Sequence, residues 1–208
     1  MYELYEDLLS LLKLFPDDDT KKKSQKILDD LEQLFKNIYP EIINIKLINE
    51  DNGEDKVALC LEDEIIFLHQ FSDGQRVLFG LIGDIARRLI LINPNLSSPF
   101  YGSGIVLIDE IELHLHPSWQ QKIILTLRHS FPNIQFILTT HSPHVLSTVD
   151  KNQIKIIRNS QIFPVLLQTK GVASSDVLEQ IMGTYSIPRD IKEAKWVDDY
   201  LDFVKNNQ

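Results

Sequence analysis

Along this chain the apolar residues first recur at helical spacing and then at strand spacing. Residues 2 to 15 are leucine-rich, and Asp17, Asp18, Asp19 and Thr20 supply turn and N-cap chemistry. A second helical period then runs through Ile27, Leu28, Leu31, Leu34, Phe35 and Ile38. Two helices are predicted, the second ended by Pro40. EIINIKLIN alternates apolar and polar residues up to Asp51-Asn52-Gly53, a hairpin-type turn, and KVALCLEDEIIFL resumes extended structure. A β-hairpin or meander is expected there. After Gly74 the order becomes α/β: a helix to about Ile92, the strand GIVLI, a helix after Pro117, the strand IQFILTT and a short helix after Ser142. Strands this apolar predict parallel pairing with both faces buried. IKIIR and IFPVLLQ read as two further strands, followed by a helix near Asp176 to Met182 and a terminal helix beyond Pro188. Neither an internal repeat nor a low-complexity linker interrupts this pattern.

Composition narrows the setting. With 208 residues, 43% of them hydrophobic, the chain can build one sizeable core, or one domain with a helical appendage. The longest run without a polar side chain is seven residues, Val77 to Gly83, against roughly 18 for a membrane span. Cys60 stands alone and no basic n-region opens the sequence, which points away from export and a disulfide framework and towards a cytoplasmic protein. A net charge of -9 does not support a surface that is nucleic-acid footprint throughout, although Lys21 to Lys23 and the Arg87-Arg88 pair leave local contact open.

Three segments carry candidate chemistry. GIVLIDE is an apolar strand that finishes in two acids, and in open α/β sheets ligands bind beyond the carboxyl ends of strands. Asp109 suits a magnesium ion, which takes hard oxygen ligands, and Glu110 suits an attacking water that must be oriented and relieved of a proton. By itself the same pattern also describes a strand ending in solvated acids. Phe71-Ser72-Asp73-Gly74-Gln75 opens a long helix whose first N–H groups lack partners and carry partial positive charge, so a phosphate could be held through Ser72 and the Gly74 backbone. The plain alternative is an N-cap. IQFILTT runs into His141-Ser142-Pro143-His144, where His141 could donate to a terminal phosphate or serve only the fold.

The order and spacing of these segments resemble the C-terminal lobe of ABC-type ATPases. FSDGQ is similar to the signature loop, GIVLIDE to the Walker B strand and TTHSP to the H-loop. IELHLHPSWQQ resembles the D-loop region of the SMC-like and OLD-like branch. Residues 70 to 206, including the tail IMGTYSIPRD, resemble the PtuA-like AAA ATPases of retron and Septu anti-phage systems. The resemblance implies an α/β P-loop NTPase lobe, a parallel sheet flanked by helices, preceded by a helical segment and a β-hairpin. Residues 1–40 would belong to the helical insertion between lobes, and residues 41–208 would form the lobe with its C-terminal helices. It further implies ATP and magnesium as cofactors, with Asp109 holding the metal, Glu110 acting as base and His141 sensing the γ-phosphate. Ser72, Asp73, Gly74 and Gln75 would reach the nucleotide of an opposite protomer. Glu112, His114, His116 and Pro117 would form the D-loop at that interface.

Departures from the family pattern matter as well. Phe71 replaces Leu and Asp73 replaces Gly in the signature. None of the eight glycines belongs to a GxxxxGK[ST] sequence, so a Walker A loop is expected from elsewhere, on an N-terminal lobe of the same gene or on a separate chain. Alone, the chain is expected to bind ATP weakly and hydrolyse it negligibly. Completed, it is expected to dimerise or assemble further on ATP and to control an effector such as a nuclease in anti-phage defence. Three other readings compete. One is a module or remnant that keeps the fold without turnover. Another is a metal-dependent hydrolase built from His114, His116, His141 and His144 with Asp109, Glu110 and Glu112. The third, a Ser142–His141 nucleophile, lacks a GxSxG elbow.

Overall fold

In a computed structural model that describes residues 21–49, 55–184 and 203, the helical stripe that opens the described chain is buried. Helix α1, Lys21–Ile38, turns Ile27, Leu31, Leu34, Phe35 and Ile38 inward, the i, i+4, i+7, i+8, i+11 pattern of one helix face. Strands β1 (Asn44–Asn49), β2 (Asp55–Cys60) and β3 (Ile65–Phe67) form an antiparallel sheet in the order β1-β2-β3, with Ile45 opposite Leu59 and Ala58 opposite Phe67. In the central strand β2, Val57, Ala58 and Leu59 are inaccessible to solvent.

Helix α2, Asp73–Ile92, buries Leu78, Phe79, Ile82, Ile85, Ala86 and Leu89 along one face. The Phe79 ring stacks on Phe35 of α1 with centroids 5.1 Å apart and meets Phe71 edge-on at 5.4 Å. Three aromatic side chains thereby join the two helices at the point where the signature-like segment enters α2. Asn93 ends α2, its N–H and side-chain amide both donating to the Leu89 carbonyl before Pro94 blocks continuation.

Strand β4, Gly104–Ile108, is followed by a loop, the short helix α3 (Pro117–Gln120), helix α4 (Ile123–Ser130) and strand β5 (Ile134–Leu138). β4 and β5 pair in parallel, in register from Gly104 with Ile134 to Ile108 with Leu138. A parallel pair needs a crossover, and α3 with α4 supplies it. Ile123 and Leu127 of α4, with Phe131 beyond it, are buried, and α1 contacts α4.

Burial of the parallel pair departs from expectation. Ile105 and Leu107 of β4 are 62% and 73% exposed and Ile137 of β5 is 50% exposed, whereas Val106, Ile108, Phe136 and Leu138 are half-buried. The register puts Leu107 opposite Ile137, so one face is open and apolar. Among the described residues, β4 and β5 pair only with each other. The helix expected after Pro117 is also divided, into α3 and α4.

Cα packing separates the chain at His141/Ser142 into two compact units, the first containing everything above. The second opens with α5, Pro143–Leu146, and continues through the hairpin of β6 (Lys155–Arg158) and β7 (Gln161–Pro164) to α6, Ser174–Gln180. Asn159 and Ser160, both at positive φ, form the two-residue connection of this hairpin, the φ pattern of a type I′ turn. Ile154, Val165, Val177 and Ile181 form its core. The helix expected over residues 2–15, the turn at Asp51-Asn52-Gly53, the end of the IMGTYSIPRD tail and the helix beyond Pro188 lie outside the described residues.

Candidate nucleotide site

Where β4 stops, its two acids are held by the neighbouring strand. The Thr139 N–H donates to the Ile108 carbonyl at 3.0 Å and the Ile111 N–H to the Thr139 carbonyl at 3.1 Å, which extends the strand connection past the ladder. The Thr139 hydroxyl then serves both acids, accepting the Glu110 N–H at 2.8 Å and donating to Oδ1 of Asp109. Glu110 sits at φ 49°, a left-handed conformation that costs a non-glycine residue about 1 kcal/mol. The bond from Thr139 to its amide offsets that cost and turns the chain sharply after Asp109. Both carboxylates are exposed at the strand tip.

A second connection lies two residues further on. Glu112 accepts the His141 N–H on Oε1 and the Thr140 hydroxyl on Oε2, both at 2.6 Å. His141 is exposed, so the segment after β5 presents its imidazole at the surface of the first unit. Glu112, expected in a subunit interface, thus spends both carboxylate oxygens inside its own chain.

The signature-like segment joins the same assembly through Gly74. A Cβ there would lie 2.6 Å from the His114 carbonyl oxygen and 3.5 Å from Cα of Leu115, so the first turn of α2 rests directly on the loop that follows the two acids. That loop reverses at His114, φ 64°. The closeness read from Gly74 is therefore an approach to its own chain. Ser72 caps α2 in a capping box: its Oγ accepts the Gln75 N–H at 3.4 Å, while Oε1 of Gln75 accepts the Ser72 N–H at 3.1 Å and the Ser72 hydroxyl at 2.8 Å. Asp73 pairs with Arg76 one turn along. Ser72 and Asp73 remain exposed, and the start of a 20-residue helix with its partial positive charge faces outward there.

Two of the candidate histidines are engaged locally. Nδ1 of His116 engages the Ser118 hydroxyl at 2.9 Å as the cap of α3, with Pro117 in its first turn, and Nδ1 of His144 engages the Ser174 hydroxyl at 2.9 Å. Among the described residues no group of three or more His, Cys, Asp or Glu side chains is arranged to hold a metal ion. Ser142 is buried and its hydroxyl accepts the His144 and Val145 N–H groups, as the cap of α5. A lone magnesium ligand is a different case: Asp109 offers a hard oxygen at a strand tip, and the bond to Thr139 uses one of its two oxygens, a donor set that fits an ion completing its shell with water and phosphate. Thr139 and the inward turn of Glu112 escaped the reading of the sequence. Their signal was the pair of hydroxyls in TTHSP, directly before the candidate histidine.

The α/β fold that carries these residues resembles that of SMC ATPase heads. A structure described as "Structural biochemistry of ATP-driven dimerization and DNA stimulated activation of SMC ATPases" superposes with a TM-score of 0.53 at 18% identity, over 78% of this chain and 94% of that one. Residues 3–147 match the family model described as "AAA domain, putative AbiEii toxin, Type IV TA system", and the chain belongs to that family. The "Retron Ec83 probable ATPase" of Escherichia coli is 42% identical over 183 residues, 87% of this chain and 33% of that protein. The "Retron Vc95 probable ATPase" of Vibrio cholerae is 52% identical over 127 residues, 59% of this chain and 24% of that protein. The "Septu protein PtuA" of Bacillus mycoides is 30% identical over 171 residues, 79% of this chain and 24% of that protein. The chain spans a third or less of the length of these relatives. Among the described residues no helix is long and apolar enough to cross a membrane.

Proposed function

We propose that this chain is the signature, Walker B and H-loop part of an ATP hydrolase that closes as a dimer around ATP and so controls an associated effector, in anti-phage defence. The observation that carries the reading is the strand tip: two exposed acids at the carboxyl end of a parallel strand, held by Thr139, two residues from an exposed His141. In this reading Asp109 holds magnesium, which supplies charge neutralisation at the phosphates. Glu110 orients and deprotonates the attacking water, and His141 donates to the γ-phosphate. Ser72, Asp73, Gly74 and Gln75 present the start of α2 to the triphosphate of the opposite subunit. His114 and His116, in the loop, and Pro117, which opens α3, stand at that interface. The division into a helical segment over residues 1–40 and a lobe over residues 41–208 belongs to the same proposal, as does a nuclease as effector.

The open face of β4 and β5 supports a further part of it. Parallel strands are rarely left with an apolar face in water, and a two-stranded parallel pair is too small to stand without further neighbours. A lobe bearing the Walker A loop is the occupant we assign to that face, whether it comes from the same polypeptide or another.

The test is Glu110→Gln in the complete ATPase, with the Walker A lobe present. Loss of the base lowers turnover by about 10²- to 10⁴-fold while ATP binding survives, so an ATP-bound dimer accumulates and is visible by light scattering. Turnover at the parental rate would remove Glu110 from the role. A parent that dimerises on ATP without any hydrolysis would make the protein a nucleotide-dependent interaction module.

A further inference from the structure

Strand pairing stops at Leu138, and Thr139 makes the last strand-like backbone bonds. Glu112 carries the connection onward. Its two oxygens bind consecutive residues, the Thr140 hydroxyl and the His141 amide, each at 2.6 Å, and the side chain is half-buried. A carboxylate held at both oxygens has little freedom, so it fixes the chain direction at the residue whose imidazole is exposed. The other end of the same loop, at His114, lies under the first turn of α2 against Gly74.

We propose that Glu112 is the positioning residue of His141: it holds the His141 backbone amide and thereby sets where the imidazole stands relative to Asp109 and Glu110. The proposal rests on the ATPase reading above. Glu112 touches neither nucleotide nor metal in this role, and its negative charge is dispensable. A carboxamide has the same reach: Gln accepts from His141 through Oε1 and donates through Nε2 to the Thr140 oxygen, whose hydroxyl turns to accept. Asp falls short by one methylene, about 1.5 Å, and Ala offers no acceptor at all.

Glu112→Gln, Glu112→Asp and Glu112→Ala in the complete ATPase test this, by kcat and KM for ATP and by residue-resolved hydrogen exchange of the His141 amide without nucleotide. The Gln variant is expected to keep amide protection and a kcat within about threefold of the parent, with KM for ATP unchanged in all three. The Asp and Ala variants are expected to lose protection and to lower kcat on the order of 10²-fold, the effect of displacing a reacting group by about 1 Å. If the Ala variant does not fold, the contrast between Gln and Asp decides. A Gln variant as inactive as Ala would mean that the charge itself is needed, and Glu112 would then be a ligand or base. Full kcat in a deprotected Ala variant would show a clamp without consequence for hydrolysis and would end the proposal. A parent with no turnover would instead fail the ATPase reading, and this proposal would fall with it, whatever the exchange of the His141 amide.

Discussion

Gly74→Ala separates two reasons for a glycine at the start of α2. If the residue is small to admit a phosphate, the substitution is silent until nucleotide binds. The geometry gives another answer, because the added Cβ would stand 2.6 Å from the His114 carbonyl oxygen, well inside van der Waals contact, and both partners are main chain. Neither can rotate away, so α2 or the loop must shift. Overpacking of this kind costs about 1–3 kcal/mol, and rigid backbone on both sides places it in the upper half of that range. Replacing Gly by Ala in a helix returns up to about 1 kcal/mol, less in a first turn. The balance is a loss of about 1–2 kcal/mol. For a chain of this size each kcal/mol moves Tm by about 2–4 °C, so the midpoint should fall by about 2–8 °C without any nucleotide. Thermal unfolding of the purified chain followed by circular dichroism measures it. An unchanged midpoint would refute the steric argument and return Gly74 to a role at the phosphate alone.

Two further perturbations probe the site and the open face. Thr139→Val keeps the β-branched shape and removes the hydroxyl shared by Asp109 and Glu110; kcat in the complete ATPase should drop by about tenfold or more while the fold persists, and an unaltered kcat would show that the strand tip is ordered without it. Leu107→Lys alters a side chain that is 73% exposed, so the stability of this chain should change by less than about 1 kcal/mol, while its binding to a Walker A lobe, measured by calorimetry, should weaken at least tenfold. Binding at parental strength would place that lobe elsewhere.

Much of the architecture was legible because it obeys local rules. The stripes of α1 and α2 follow from a 3.6-residue period, β1 to β3 from alternation, and the Ser72 N-cap from a serine directly before a helical stretch. Asp109 and Glu110 were legible as candidates because acids that follow directly on an apolar strand stand at its carboxyl end in any α/β fold. What tertiary structure alone decided are relations between residues distant in sequence. Thr139 meets Glu110 across 29 positions, Glu112 meets His141 across 29, and Gly74 meets the carbonyl of His114. No periodicity encodes such a meeting, since it depends on β4 and β5 lying side by side with their ends level. The exposure of Leu107 and Ile137 is of the same kind. Apolarity along a strand states that a face is to be buried, and only the arrangement of neighbouring strands and helices states which residues do the covering.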